Sequence, residues 1–354
     1  MSVQLGVVEG FYGPPWSWAD RQDTIELLAG HGFGFYVYAP KADAFLRKRW
    51  REDHPAQAAD HIRRLSARCG ELGVTFGIGF SPYELYLDFD DAARETLTRK
   101  LSGFDAMGVK QLAILFDDMR GDISSLAETQ TRIVHWMAEH SRAERFAVCP
   151  TYYTDDPALD RFFGERPPGY LETIGLRLDA SIDVFWTGEQ VCSPRFSPGH
   201  LARVAETLRR KPLLWDNYPV NDGPVMSRRL HLRGFTGRPA SNADLLAGHA
   251  INPALQPVLS RIPAMTLAES YALGDAYDPG VAFTRAAVEV LGEQLAQQVE
   301  RRLPLLQDRG LDALGEFVPQ LRESFAAIDH PSAREIVAWL DGDFRFSPEM
   351  FEGA

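Results

Sequence analysis

The sequence has few cysteines, an excess of acidic residues and no long apolar run, and each of these features excludes a class of protein. The three cysteines, Cys69, Cys149 and Cys192, are far apart and lie in no paired motif, so neither a disulfide framework nor a zinc cluster is predicted. Lysine and arginine total 37 against 49 aspartate and glutamate, a net charge of −12, which argues against nucleic acid or an anionic membrane as the main partner. We expect a protein without metal or cofactor, in a reducing compartment.

Signals for export and for membrane insertion are also missing. The first residues, Met-Ser-Val-Gln-Leu-Gly, contain no basic segment followed by an apolar core of about 7 to 15 residues, as a secretory signal requires. No stretch of about 20 apolar residues is present that could span a bilayer. A cytoplasmic protein that does not bind membranes is therefore expected.

The remaining pattern alternates strands with helical segments. Eight apolar runs typical of buried strands are separated by segments with helical periodicity, which predicts an α/β protein with a (β/α)8 TIM barrel over residues 1–271. An open doubly wound sheet is disfavoured because Gly10-Phe-Tyr-Gly13 lacks the spacing of a glycine-rich phosphate loop. The predicted strands are Val3–Glu9, Phe33–Ala39, Val74–Phe80, Leu112–Phe116, Phe146–Pro150, Ile182–Trp186, Leu213–Asp216 and Gly248–Ile251.

Strand-like runs disappear in residues 272–354. Residues 282–306, 311–325 and 332–340 have helical periodicity, so we predict a small C-terminal helical domain of two to four helices with an irregular tail after residue 340. This domain either covers the flank of the barrel or pairs with a second copy in a homodimer. The periodicity is compatible with both arrangements.

The fourth predicted strand ends in two adjacent carboxylates, Asp117 and Asp118. The carboxyl ends of barrel strands are where catalytic groups collect. Neighbouring strand residues point to opposite faces, so both side chains reach the barrel mouth only if the chain bends at this point. The alternative is that the pair only opens a turn and caps the next helix, since aspartate is common there.

Polar and aromatic side chains follow most of the other predicted strands. Singly, each has an ordinary explanation as a turn former, a surface amine or a packing residue. Together they suit a neutral, hydroxyl-rich ligand such as a sugar, whose polar edge needs Asp, Asn and Lys while its apolar faces rest on aromatic rings. These residues are Glu9, Gly10, Tyr12, Lys41, Asp43, Tyr153, Trp186, Thr187, Asp216, Asn217, Asn221, Asp222 and Asn252.

Seven blocks of sequence, in order, carry a resemblance to a known family. They resemble glycoside hydrolase family 84, the β-N-acetylglucosaminidases that include the O-GlcNAcases. The resemblance spans about residues 3–255 and implies a (β/α)8 catalytic barrel followed by a helical domain. The blocks are Val7-Val-Glu-Gly-Phe-Tyr-Gly13 with Trp16, Tyr38-Ala-Pro-Lys41, Phe116-Asp-Asp118, Cys149-Pro-Thr-Tyr-Tyr153, Trp186-Thr-Gly188, Trp215-Asp-Asn217 with Asn221-Asp222, and Asn252-Pro253.

The resemblance implies a retaining β-N-acetylglucosaminidase that uses its substrate as the nucleophile. The acetamido oxygen of a terminal β-linked N-acetylglucosamine attacks its own anomeric carbon and forms an oxazoline intermediate. By position, Asp117 corresponds to the residue that orients the acetamido group, and Asp118 to the general acid and base. Because two close carboxyls oppose the ionisation of both, we expect one to stay protonated nearer to neutral pH.

The same resemblance implies seven substrate contacts and no metal ligand. Two departures, Pro14 where the family usually has Arg and Ala42-Asp43 where it has an acidic pair, lie beside the implied sugar pocket. The implied contacts to sugar hydroxyls are Gly10, Lys41, Asp222 and Asn252, and the implied acetamido pocket is Tyr153, Trp215 and Asn217.

Three other functions stand beside this one. A catalytically weak carbohydrate-binding barrel fits the polar mouth, although it does not need both Asp117 and Asp118. A hexosaminidase of different amido-sugar specificity fits the same residues. A metal-dependent hydrolase is disfavoured because no His-x-His pair follows the first strand. The expected partner is a glycoprotein or glycan that contains N-acetylglucosamine.

Overall fold

Eight parallel strands form a closed barrel in the computed structural model, which describes residues 3–352. Each strand pairs with the next along the chain, and the first pairs with the eighth. The strands are buried on both faces, which explains why their sequences are apolar without alternation. They are β1 (Leu5–Glu9), β2 (Phe33–Tyr38), β3 (Thr75–Phe80), β4 (Gln111–Leu115), β5 (Arg145–Cys149), β6 (Asp183–Trp186), β7 (Leu213–Asp216) and β8 (Gly248–Ile251).

Helices cover the outside of the barrel between successive strands, except between β7 and β8, where only two short 3₁₀ segments lie. The long loop after β2 has a 3₁₀ turn in place of a helix at its start. Asp43 caps this turn by accepting the Phe45 N–H at 3.0 Å. The barrel helices are α1 (Trp18–Gly30), α2 (Ala56–Glu71), α3 (Asp91–Ala106), α4 (Leu126–His140), α5 (Ala158–Phe163), α6 (Tyr170–Arg177), α7 (Pro198–Leu208) and α8 (Pro257–Leu273).

The C-terminal region is helical, as predicted, but the predicted segment 282–306 is not one helix. Gly292 has a φ of 74°, a left-handed conformation that ends one helix before the next begins. The predicted irregular tail also contains one short helix. The helices after the barrel are α9 (Pro279–Leu291), α10 (Glu293–Leu303), α11 (Phe317–Ala326), α12 (Pro331–Asp341) and α13 (Glu349–Glu352).

The C-terminal helices pack directly on the barrel. Buried residues of both regions belong to one continuous apolar core. The carboxylate of Glu335, on α12, accepts the backbone N–H groups of Val258 and Leu259 at 2.8 and 2.9 Å, at the start of α8. Phe344 packs on a second apolar cluster beneath the loop after β1, which contains Phe11. The C-terminal region therefore supports the loops after β1 and β8.

A buried ionic cluster joins the last two strands. The guanidinium of Arg238 donates to both carboxylate oxygens of Asp216 at 2.8 and 2.7 Å, and His249 lies 3.0 Å from the same carboxylate. Burial opposes ionisation of Asp216, but Arg238 and His249 hold the pKa of its carboxyl below the usual range. Arg238 also donates to three backbone carbonyls, so the cluster anchors the loops after β6 and β7.

We expect Asp216→Asn to lower the free energy of unfolding by about 3–5 kcal/mol, because it leaves the buried Arg238 without a carboxylate. Since the folded-state pKa of Asp216 is depressed, this stabilisation is present at neutral pH. It is lost as the pH falls below about 4, towards the folded-state value. Urea unfolding at pH 7, and at several pH values below about 4, measures both effects. Asp341→Asn removes an exposed pair with Arg322, which water and salt screen, so the free energy of unfolding should be almost unchanged. Equal losses in the two variants would contradict the assignment.

Among the described residues, no helix combines the length and the apolar character needed to cross a membrane.

Candidate active site

The mouth of the barrel at the carboxyl ends of the strands contains a cavity of about 160 Å3. All nine residues that the sequence assigned to the site line it, although they come from six different strand ends. Other residues that line the cavity include Cys149, Thr187, Val191 and Cys192. The nine predicted residues are Gly10, Lys41, Asp117, Asp118, Tyr153, Trp215, Asn217, Asp222 and Asn252. Their roles in binding and catalysis stay predictions.

A bend after β4 turns both carboxylates towards the cavity. The regular strand ends at Leu115, and the Phe116 N–H still bonds to the Cys149 carbonyl of β5. Asp118 then adopts a left-handed conformation with a φ of 57°, which is unusual for a residue with a side chain. This conformation supplies the bend that two successive residues need in order to face one space.

Lys41 lies between the two carboxylates. Its ammonium donates to Asp117 Oδ2 and is 3.6 Å from Asp118 Oδ2, and all but a few per cent of its side chain is buried. The other oxygen of Asp117, Oδ1, is buried and has no hydrogen-bond partner in the described chain. A buried carboxylate oxygen without a donor is costly, so this atom is a prepared acceptor for a ligand N–H or O–H.

Asp118 has a different environment. Tyr12 donates its hydroxyl to Asp118 Oδ2 at 2.7 Å, and the Tyr153 hydroxyl is 3.4 Å from Asp118 Oδ1. Burial acts to raise the pKa of Asp118, but the Lys41 ammonium, the Arg47 guanidinium and the Tyr12 hydroxyl hold that pKa below the usual value. Repulsion within the pair therefore does not raise the pKa of Asp118 in the free protein, because these cations offset the repulsion. The expectation that one acid of the pair stays protonated nearer to neutral pH named neither acid and stays a prediction.

One side of the cavity is a hydrogen-bonded wall. Asn217 Oδ1 accepts the indole N–H of Trp215 at 3.1 Å and the amide of Asn252 at 3.0 Å. Asn252 Oδ1 accepts the Gly10 N–H at 3.2 Å. A Cβ atom at Gly10 would lie 2.3 Å from the Trp215 ring, so only glycine allows this ring to pack there. The wall is thus fixed before a ligand binds.

Asp222 also lines the cavity. Its Oδ2 accepts the Tyr12 backbone N–H at 2.8 Å, and burial raises the pKa of its carboxyl to about 6. The neighbouring Asn221 does not line the cavity. Its side chain bridges the loops after β7 and β8 by accepting the Leu255 N–H at 3.0 Å and donating to Gln256 at 2.8 Å. Asn221 therefore positions the segment that carries Asp222.

Three acidic residues in the wider set of strand-end candidates have structural roles instead. Glu9 is directed away from the cavity and forms a buried bidentate pair with Arg21 on α1, at 2.8 and 2.7 Å. Asp216 belongs to the buried cluster with Arg238. Asp43 accepts the Tyr38 hydroxyl at 3.0 Å and lies 3.1 Å from His54 Nε2, so it holds the loop after β2. For Glu9 and Asp216, the last residues of β1 and β7, the outward direction follows from the alternation of side chains along a strand.

Arg47 is a residue near the site that sequence reasoning missed. It lies in the loop after β2, is 4% exposed and donates from Nη1 to the Tyr12 hydroxyl at 3.1 Å. In the sequence it precedes Lys48 and Arg49, and nothing in composition or spacing separates the buried arginine from its neighbours. Only the fold of the loop makes the distinction.

The described residues contain no group of three or more His, Cys, Asp and Glu side chains placed to hold a metal ion. The group that faces the carboxylate pair is the ammonium of Lys41. The pair is therefore ion-paired with a side chain of the protein itself.

The closed barrel, with a carboxylate pair, a lysine and an aromatic wall at its mouth, defines a (β/α)8 protein with an acidic site for a polar ligand. The family model described as beta-N-acetylglucosaminidase matches residues 5–303, and the chain belongs to this family. The predicted family and the predicted barrel are thereby confirmed.

Known proteins agree with this membership. Protein O-GlcNAcase of Mus musculus is 31% identical over 276 residues, and that of Rattus norvegicus is 31% identical over 279 residues. Each match covers 75% of this chain and 30% of the relative, so the chain spans about 30% of the length of these two proteins. A mutant of the O-GlcNAc hydrolase of Thermobaculum terrenum matches with a TM-score of 0.79 and 29% identity, over 96% of this chain and 80% of that chain.

Proposed function

We propose that this protein is a retaining β-N-acetylglucosaminidase that removes terminal β-linked N-acetylglucosamine through an oxazoline intermediate. The observation that carries the proposal is the buried, unpartnered Oδ1 of Asp117, a residue that lines the cavity and whose other carboxylate oxygen is bound to Lys41. An acetamido N–H is a donor of the right kind for this atom. Membership of the β-N-acetylglucosaminidase family supports the same substrate class.

In the first step Asp117 accepts the acetamido N–H and thereby turns the acetamido oxygen towards the anomeric carbon. That oxygen attacks the carbon while protonated Asp118 gives its proton to the departing glycosidic oxygen, so the alcohol leaves and the oxazoline forms. In the second step the Asp118 carboxylate takes a proton from water. The water oxygen attacks the anomeric carbon, the oxazoline opens and the product retains the β configuration.

The free protein must change its charge state before the first step, since Asp118 has a depressed pKa. Binding of the sugar removes water from the cavity, which favours the neutral form of a carboxyl group. A sugar hydroxyl that accepts a hydrogen bond from Lys41 also weakens the hold of this ammonium on the carboxylate pair. Both changes raise the pKa of Asp118, so the acid takes up its proton as the substrate binds.

The other cavity residues divide between the two ends of the sugar. Gly10, Lys41, Asp222 and Asn252 contact hydroxyl groups, and Asp222 and Asn252 fix the 4- and 6-hydroxyls. Tyr153, Trp215 and Asn217 surround the acetamido group, with the indole as its apolar wall. The substrate is a glycoprotein or glycan with terminal N-acetylglucosamine. A cytoplasmic location and a homodimer stay predictions from the sequence.

Hydrolysis of 4-nitrophenyl β-N-acetylglucosaminide by the purified protein, with and without EDTA, tests the proposal. We expect turnover that survives the chelator and exceeds turnover of the matching N-acetylgalactosaminide, because Asp222 and Asn252 contact the 4-hydroxyl that distinguishes the two sugars. Proton NMR should show the β anomer of the product first. Loss of activity with EDTA, a first-formed α anomer, or sugar binding without hydrolysis would each refute the proposal. Faster turnover of the N-acetylgalactosaminide would assign a different amido-sugar specificity.

A further inference from the structure

A buried arginine stands behind the proposed general acid. The Tyr12 hydroxyl lies between two groups: it accepts an N–H from Arg47 Nη1 at 3.1 Å and donates to Asp118 Oδ2 at 2.7 Å. We infer that Arg47 is a positioning residue for the reaction, which acts through Tyr12 to fix the oxygen of Asp118 that carries the transferable proton. This inference rests on the proposed function.

The direction of the two hydrogen bonds follows from the chemistry of the groups. A guanidinium can only donate, so Arg47 occupies an acceptor position on the Tyr12 oxygen. A phenol that accepts from a cation becomes a stronger donor through its own hydrogen. Its partner at 2.7 Å is Asp118 Oδ2, so this carboxylate oxygen is held as an acceptor.

The arrangement distinguishes the two oxygens of Asp118. Oδ2 accepts from Tyr12 and also lies 3.6 Å from the ammonium of Lys41, so donors surround it. Among the described residues, the one hydrogen-bond partner of Oδ1 is the Tyr153 hydroxyl at 3.4 Å, which can donate or accept. A hydrogen on Oδ2 would point towards the hydrogens of the donors Tyr12 and Lys41, which is unfavourable. A hydrogen on Oδ1 would not face such donors. Protonated Asp118 therefore carries its hydrogen on Oδ1, and this oxygen gives the proton to the leaving group.

Within the described residues, the guanidinium of Arg47 is not directly paired with a carboxylate. No carboxylate in the described part of the chain forms an ion pair with Arg47, and its Nε has no hydrogen-bond partner there. A buried cation without a carboxylate is unfavourable unless a charge of opposite sign lies close by. The nearest such charges are Asp117 and Asp118, beyond the Tyr12 ring that the guanidinium approaches to 5.6 Å from its centroid.

The proposal predicts two changes in Arg47→Gln. The titratable and charged groups around Asp118 are Lys41, Asp117, Asp222, Cys149, the hydroxyls of Tyr12 and Tyr153, and Arg47. Only Arg47 changes in the variant. Loss of a cation raises the pKa of Asp118, so the alkaline limb of the kcat/KM profile should move up by about one pH unit.

The second change concerns the leaving group. In Arg47→Gln the transferable proton of Asp118 is no longer held on Oδ1. The kcat for a substrate with a poor leaving group, such as a methyl or seryl β-N-acetylglucosaminide, should therefore fall about 10-fold to 100-fold. For a 2,4-dinitrophenyl leaving group, which needs little protonation, kcat should stay within about 3-fold of the original value.

Three further variants make the test specific: two in the loop that contains Arg47, and one at Tyr12. Arg49→Gln removes an exposed arginine paired with Glu52 and should change neither readout. Arg47→Lys keeps a donor and a charge, so it should restore the pH profile to within about 0.3 units. In a Tyr12→Phe background the leaving-group effect of Arg47→Gln should disappear, because the two residues act through one hydroxyl.

Several results would overturn the inference. One is an Arg47→Gln enzyme with an unchanged pH profile and equal losses on both leaving groups, since a merely structural arginine gives that pattern. Another is an undiminished Arg47 effect in the Tyr12→Phe background. If Arg47→Gln does not fold, the pH and leaving-group dependences of Arg47→Lys and Tyr12→Phe test the inference instead. A Tyr12→Phe enzyme with the original leaving-group dependence would then contradict the inference. An inactive original protein refutes the proposed function itself, which separates the two failures.

Discussion

Asp118→Asn slows hydrolysis of substrates with poor leaving groups by about 10²–10⁴-fold, the contribution of a well-placed general acid. The side-chain amide of asparagine is too weak an acid to transfer a proton to the leaving group. Because Tyr12 donates to the Oδ2 position, the amide oxygen stays there and the shape of the site is preserved. For a 2,4-dinitrophenyl glycoside the loss in the first step should be far smaller, since that leaving group departs as a stable anion.

Steady-state rates and burst kinetics across a series of aryl β-N-acetylglucosaminides, ordered by the pKa of the leaving phenol, measure this effect. The variant should show a steep dependence on leaving-group pKa where the original protein shows a shallow one. Asp122→Asn, in the same loop but exposed and paired with Arg120, is the matched control and should behave as the original protein. Equal losses on good and poor leaving groups would remove the acid role from Asp118.

Asp117→Asn has the second large effect, of a different kind. Lys41 needs an acceptor at the Oδ2 position, so the new amide places its oxygen there and its NH2 group at the Oδ1 position. Two donors then face each other when the acetamido N–H arrives. We expect kcat to fall by about 10²–10³-fold, the usual cost of losing one preorganised electrostatic contact to developing charge.

This loss should appear with every leaving group, because attack by the acetamido oxygen is required whatever departs. Substrates with one, two or three fluorines on the acetamido methyl group report directly on that attack. Their rates should fall steadily in the original protein, and the dependence should differ in the Asp117→Asn variant. An identical dependence in both proteins would show that Asp117 does not act on the acetamido group. Thermal unfolding of both variants verifies that the fold is intact.

The barrel could be predicted from sequence because its strands are buried on both faces. Such strands are unbroken apolar runs, and their predicted ends agree with the structure to within two residues, from Val3–Glu9 against Leu5–Glu9 to an identical Gly248–Ile251. The break at Gly292 was less visible. A single glycine is tolerated inside a helix, and only its positive φ shows that it separates two helices.

The candidate site was less accessible from sequence because side-chain direction depends on register. Glu9 and Asp216 are the last residues of strands, and Asp117 comes just after one, yet Glu9 and Asp216 face α1 and Arg238 instead of the cavity. Pattern alone could not tell which carboxylates point inwards. The family resemblance selected the inward residues, whereas Arg47 lies in an irregular loop whose course no periodicity describes.

Glu335 and Phe344 carry a consequence for how the protein loses its structure. The first N–H groups of α8, the helix after the Asn252 loop, donate to the carboxylate of Glu335 on α12. The loop after β1 packs on the ring of Phe344, near the C-terminus. Melting of the C-terminal helices would therefore uncap α8 and loosen both loops at once. We expect ligand affinity and C-terminal order to disappear cooperatively, in one transition.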